Sequence, residues 1–183
     1  MLTQQERQDL LRLARRAIAA RLAGEEFSAT ERGSAGPEGP RAGAFVTLHV
    51  RGDLRGCIGY PWSDRPLRDV IVQCAIGAAT EDPRFPALDP DELGKADIEI
   101  SVLGPIEPVD DLKEIEVGRH GLIAEQGYRR GLLLPQVATE HAWNREMFLS
   151  HTCLKAGLSA DAWKSGAVFF KFEAEVFGEE PKA

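Results

Sequence analysis

The first two dozen residues follow a helical rhythm. Leu10, Leu11, Ala14, Ala17, Ile18 and Leu22 fall on one stripe, and Arg12, Arg15 and Arg16 lie mostly off it. Thr3 and Glu6 have the spacing of a capping box, and Gly24 supplies a stop. Periodicity then disappears. Residues 25–43 are rich in Gly, Glu, Ser and Pro and predict a flexible surface loop, long enough to be a lid or an insertion. Alternation returns at 44–50, AFVTLHV, as a strand, followed by a turn at 51–53 and a return strand over 54–59. A helix is expected over 66–81, stopped by the two prolines of DPRFP at 82–86. Residues 89–93 predict a helical turn, and ADIEISVLGP at 96–105 a strand. Residues 120–127 and 128–135 form a hairpin pattern with its turn near Gln126-Gly127. A helix over 139–157, capped by Thr139 and stopped by Gly157, precedes a helical turn at 159–163 and a long strand at 166–178. Strands outnumber helices and are joined as hairpins, so the class is α+β with mainly antiparallel sheets and packed helices.

The first hairpin has two possible registers. A Gly52-Asp53 loop would put Arg55 and Cys57 on the face of Val46, Leu48 and Val50. A three-residue loop, 51–53, pairs Val50 with Leu54, His49 with Arg55, Thr47 with Cys57 and Val46 with Ile58. It leaves one face apolar (Val46, Leu48, Val50, Leu54, Ile58) and one polar (Thr47, His49, Arg55, Cys57). Hydrophobic pattern normally decides register, so the second is expected. Gly56 and Gly59 would then admit a ligand or another backbone close to the strand.

The chain has 183 residues, 43% hydrophobic and 28% charged, which suits one soluble domain over 1–183 with a sizeable core. Its net charge of −7 speaks against a general nucleic-acid binder. The three cysteines, Cys57, Cys74 and Cys153, are odd in number and widely spaced, so the expectation is free thiols in a reducing cytosol. No signal-peptide pattern opens the chain, and the most apolar run, 70–79, is too short to span a bilayer. A cytoplasmic location away from membranes is expected.

Cys57 is the candidate centre. A free cysteine often serves simply as a small buried hydrophobe. An unperturbed thiol is about 3% thiolate at pH 7, and a cation about 5 Å away activates it only where water is partly excluded. Arg55 is the candidate cation, and His49 or His120 the candidate acid or base. Arg84 either stiffens the DPRFP turn with Asp82 or binds an anion. Gln136, ahead of a helix, is a candidate ligand-binding amide. Cys74 and Cys153 are expected in the core. Glu140, His141 and His151 do not form a zinc pattern, and no metal site is expected. No cofactor is indicated.

FVTL…LRGCIG, AATEDPRFP, IEISVLGP, GRHGL, GLLLPQVATE, W…FLSHTCLKAGL and FEAEVF follow one another between about 44 and 178. In this order they resemble the AMMECR domain family, known in prokaryotes as protein A of the AmmeMemoRadiSam system, with Leu54–Gly59 as its signature hexapeptide. The resemblance implies two unequal lobes. The larger is a split βαβ-like arrangement that takes in both termini, the smaller is inserted, and the signature strand faces a cleft between them. It also implies the company of a Memo-like protein and a radical S-adenosylmethionine enzyme, and it assigns no reaction. Three readings therefore stand at the level of sequence. The chain is a thiol-dependent enzyme acting on a small anionic molecule, with Cys57, His120 and His49 catalytic and Arg55, Gly56, Gly59, Arg84 and Gln136 binding. It is instead a binding or scaffold protein using the LRGCIG groove. Or it binds or modifies RNA through the basic residues of the first helix.

Overall fold

The computed structural model describes residues 2–27 and 41–180. Its contacts divide the chain into two units, Met1–Val102 with Glu175–Ala183, and Leu103–Ala174.

The first unit opens with α1 (Gln4–Leu22). Thr3 accepts from the Glu6 amide while the Glu6 carboxylate accepts from the Thr3 amide, so the capping box is present. Leu10, Leu11, Ala14, Ala17 and Ile18 are buried along its inner stripe. The expected loop begins without regular structure at Glu25, and its residues 28–40 lie outside the described residues. Three antiparallel strands follow the order β2 (Asp53–Tyr60), β1 (Ala44–Val50), β3 (Ala96–Leu103). Helix α2 (Leu67–Thr80) lies on β1 and β2, and α1 packs on α2. The short α3 (Pro90–Leu93) has its own capping box, Asp89 with Glu92. Ala44, Val46, Leu48, Ile98 and Ile100 from the strands meet Val70, Ile71, Cys74, Ala75 and Ala78 from α2 in one cluster. Each large aliphatic side chain buried there contributes about 1.5–3 kcal/mol.

The first hairpin departs from both expected registers. Its loop is Arg51-Gly52, with φ of 56° and 85°, the two positive values a type I′ turn requires. Val50 therefore pairs with Asp53 and His49 with Leu54. The register then shifts at Leu48/His49, and Arg55 is the extra residue of a bulge. Beyond it Leu48 faces Gly56, Thr47 faces Cys57 and Val46 faces Ile58, the pairs that the three-residue loop predicts. The bulge restores the expected alternation for Cys57 and Ile58 but releases Leu54, which is 39% exposed rather than packed on the apolar face.

The second unit holds β4 (Glu107–Pro108), β5 (His120–Gln126), β6 (Arg129–Leu133) and β7 (Val168–Gly178), the last continuing into the first unit. Here the order is β6-β5-β7-β4, all antiparallel. The single helix expected over 139–157 is two: α4 (Pro135–Glu140) and α5 (Arg145–Lys155). Pro135 starts α4 early, Ala142 turns to a φ of 51°, and Asn144 caps the Met147 amide to start a new helix. Phe148, Leu149 and Cys153 of α5 pack with Leu122, Ala124 and Phe169. Cys74 and Cys153 are both fully buried.

Candidate functional site

The site in the first unit is built by β2 and the turn that follows α2. Thr47 and Cys57 are direct neighbours across the ladder, and Thr47 Oγ1 donates to Cys57 Sγ at 3.4 Å. The Cys57 amide donates to Asp82 Oδ2 at 2.8 Å. Asp82 is 4% exposed and also accepts from the Arg84 amide (3.1 Å), Arg84 Nε (3.0 Å) and Arg84 Nη2 (2.7 Å). One carboxylate thus joins the strand, the turn and a guanidinium. The Arg84 hydrogen bonds, supported by the Cys57 and Arg84 amides, hold the Asp82 carboxyl well below the usual carboxylate range despite burial. The same contact raises the Arg84 guanidinium further.

Burial pushes the Cys57 thiol up. The bond from Thr47 and the charge of Arg84 act in the opposite direction and do not overcome it. Burial thus favours the neutral thiol over the thiolate. Arg84 presents a guanidinium whose side edge, Nε and Nη2, is taken by Asp82. Its side chain is 52% exposed, and among the described residues Nη1 meets no acceptor. The edge formed by Nη1 and the second Nη2 proton has the fork geometry that suits a carboxylate or phosphate. The guanidinium also stands over the Phe85 ring at 5.4 Å.

The other expected residues are placed differently. Arg55 does not act on Cys57. Its Nε and Nη2 bond Glu92 at 3.3 and 3.0 Å, and it donates to the Pro86 and Ala87 carbonyls. It staples the bulge to the segment 86–92, and the cation acting on Cys57 is Arg84. A Cβ on Gly56 would stand 2.1 Å from the Ala78 carbonyl oxygen, so Gly56 admits the backbone of α2. A Cβ on Gly59 would stand 2.2 Å from the Phe45 ring. The room at both glycines is filled by the protein itself. His49 is half-buried, paired with Leu54 on one side and Asp97 on the other.

His120 and Gln136 belong to the second unit. His120 is 7% exposed, and its Nδ1 accepts from the Glu116 amide at 3.0 Å. With Nδ1 an acceptor, the neutral ring carries its proton on Nε2 and can only donate there. Gln136 is half-buried in the first turn of α4. His141 and His151 stack on Trp143 with ring centroids at 4.8 and 3.9 Å. Among the described residues no three His, Cys, Asp or Glu side chains are grouped to hold a metal ion, and no helix is long and apolar enough to cross a membrane.

Sequence reasoning did not find the Asp82–Cys57 link or the Arg55–Glu92 pair. The Asp89-x-x-Glu92 spacing marks a capping box and was the available sign that Glu92 is held in place. Nothing local announces that Asp82 reaches a strand 25 residues earlier.

A family model described as AMMECR1 matches residues 11–177. The chain belongs to the AMMECR1 family. It is 47% identical over 190 residues to a protein of Methanosarcina barkeri, covering 98% of this chain and 93% of that one. It is 46% identical over 193 residues to a protein of Methanopyrus kandleri, covering 98% and 91%. Its fold is similar to that of the uncharacterized protein PH0010 from Pyrococcus horikoshii, with a TM-score of 0.87 and 42% identity over 94% of this chain and 91% of that one. AMMECR1 membership and the α+β fold therefore agree with the expectation drawn from the motifs.

Proposed function

We propose that this AMMECR1 protein is a binding protein that takes an anionic group at the open edge of Arg84, with the neutral Cys57 thiol beside it. One observation carries this reading. Asp82 clamps one edge of the Arg84 guanidinium and leaves the other without an acceptor among the described residues. A clamped arginine loses little side-chain freedom on binding, which favours a small carboxylate or phosphate. The raised Cys57 thiol argues against a resting nucleophile. The RNA reading loses support from α1 itself, where Arg12 pairs with Asp9 and Arg15 with Glu179. A cytoplasmic role beside a Memo-like protein and a radical S-adenosylmethionine enzyme is part of the proposal and rests on the resemblance alone. Co-purification with those two proteins checks it.

The test is thermal melting with malonate, citrate and inorganic phosphate, for wild type and Arg84→Gln. At ten times Kd a bound anion adds about 1.4 kcal/mol of stability. The expected result is a rise in Tm for wild type and none for the variant. Equal responses in both proteins reject Arg84 as the anion site. The enzyme reading is favoured by the bond from Thr47 and the charge of Arg84, which both support a thiolate. Iodoacetamide separates the two. Alkylation of Cys57 that stays slow until well above pH 8 fits the binding reading, whereas rapid alkylation at pH 7 reinstates the nucleophile.

A further inference from the structure

The turn that leads into β5 is closed by the ring of the residue that ends it. The Glu116 carbonyl accepts the Arg119 amide at 3.2 Å and the His120 amide at 3.0 Å, and the Glu116 amide donates to His120 Nδ1. Both backbone groups of Glu116 are thus held by the far end of the turn. The turn residues 116–119 are exposed, Gly118 takes a φ of 88°, and His120 beneath them is buried. On its inner side Ile115 is fully buried, and Arg145 Nε donates to its carbonyl at 2.8 Å.

We infer that His120 is an acid-sensitive latch on the 116–120 turn: the neutral ring closes the turn through Nδ1, and a second ring proton opens it. The step is simple in proton terms. Neutral imidazole with its proton on Nε2 offers Nδ1 as an acceptor, while imidazolium carries a proton on both nitrogens. Nδ1–H then faces the Glu116 N–H, two donors with no acceptor between them, and the bond cannot persist. Only the open turn accommodates the charged ring, so acid favours the open form and base the closed one. This latch lies in the second unit and is independent of the anion site proposed at Arg84.

The charged groups around the ring act in both directions. On the turn, Glu116 favours a cationic ring and Arg119 opposes it. Across the ladder His120 pairs with Glu173, whose carboxylate is already bonded by Arg119 Nε at 2.8 Å. Helix α4, packed on β5, carries Glu140, and α5 brings Arg145 to the Ile115 carbonyl. Opposite charges are present on both sides, so the decisive term is the change of Nδ1 from acceptor to donor.

The test uses the full 15N-labelled chain. Hydrogen exchange of the Glu116 amide is followed at about pH 8 and about pH 5.5, which bracket histidine titration, in wild type and in His120→Asn. The asparagine Oδ1 occupies the position of Nδ1 and accepts at both pH values. The expected result is about a tenfold loss of Glu116 protection on acidification of wild type, corrected for intrinsic exchange, the equivalent of one net hydrogen bond. His120→Asn should show no such loss. Equal protection at both pH values in wild type, or the same acid loss in the variant, overturns the latch. Should the variant not fold, long-range 1H–15N spectra of the wild-type ring at neutral pH decide. A bare Nδ1 supports the latch and a protonated Nδ1 with bare Nε2 rejects it.

Discussion

Asp82 shows how much one side chain can organise. Buried and ionised, it accepts four hydrogen bonds, two from the Cys57 and Arg84 amides and two from the Arg84 guanidinium. Its folded pKa lies below the unfolded value, so its contribution to stability is complete above about pH 4 and is lost as pH falls further. Asp82→Asn should therefore flatten the acid limb of the stability curve, measured by urea unfolding between about pH 3 and pH 6. At neutral pH the substitution should cost about 2–3 kcal/mol, less than for a fully buried pair because Arg84 is half-exposed. The sequence made the Asp82–Arg84 pair legible through its spacing around Pro83. The partner across the fold was not legible, because no local pattern encodes a hydrogen bond to the Cys57 amide. The same holds for Arg55, whose partners Glu92, Pro86 and Ala87 lie more than 30 residues away.

Elements were easier to read than their joints. The stripe of α1, the alternation of β1 and the prolines that end α2 all gave the observed elements, because each pattern is local and repeats. In the first hairpin the expected pairs Val46–Ile58 and Thr47–Cys57 are present, whereas His49 pairs with Leu54 and Val50 with Asp53 instead of Arg55 and Leu54, because a tighter turn and a bulge compensate one another. Arg51 in that turn sits in the left-handed region, which asparagine tolerates better. Arg51→Asn should stabilise the chain by about 0.5–1 kcal/mol, measured by urea unfolding. Gly56 marks the opposite limit. Its missing side chain lets the Ala78 carbonyl approach, and Gly56→Ala should cost about 3 kcal/mol by forcing α2 from β2. Urea unfolding midpoints of the variant give the size, and unchanged stability would mean the helix has room to retreat. The split of the expected 139–157 helix escaped sequence reasoning because Ala142, a strong helix former, takes a positive φ there.

At the scale of the molecule, two hydrophobic clusters have separate membership, one centred on α2 and β1, the other on α5 and β5. Truncating each core should loosen its own unit first. Phe148→Ala should cost about 3–5 kcal/mol and lower hydrogen-exchange protection in β5 and α5 more than in β1 and α2. Equal loss in both sets of amides would mean that the chain opens only as a whole. The family and the α+β class were legible because the motifs span most of the chain in fixed order, whereas the second core was not separable from the first by pattern alone.

The capped Cys57 amide has a consequence for how these molecules meet one another. Among the described residues β2 is the outermost strand of its ladder, and a bare margin there is a template for a neighbour's backbone. Asp82 occupies the Cys57 amide near the midpoint of that margin, with its own charge balanced by Arg84. The carboxylate that aligns the arginine thus also removes one edge donor that a second copy of the strand would need for pairing.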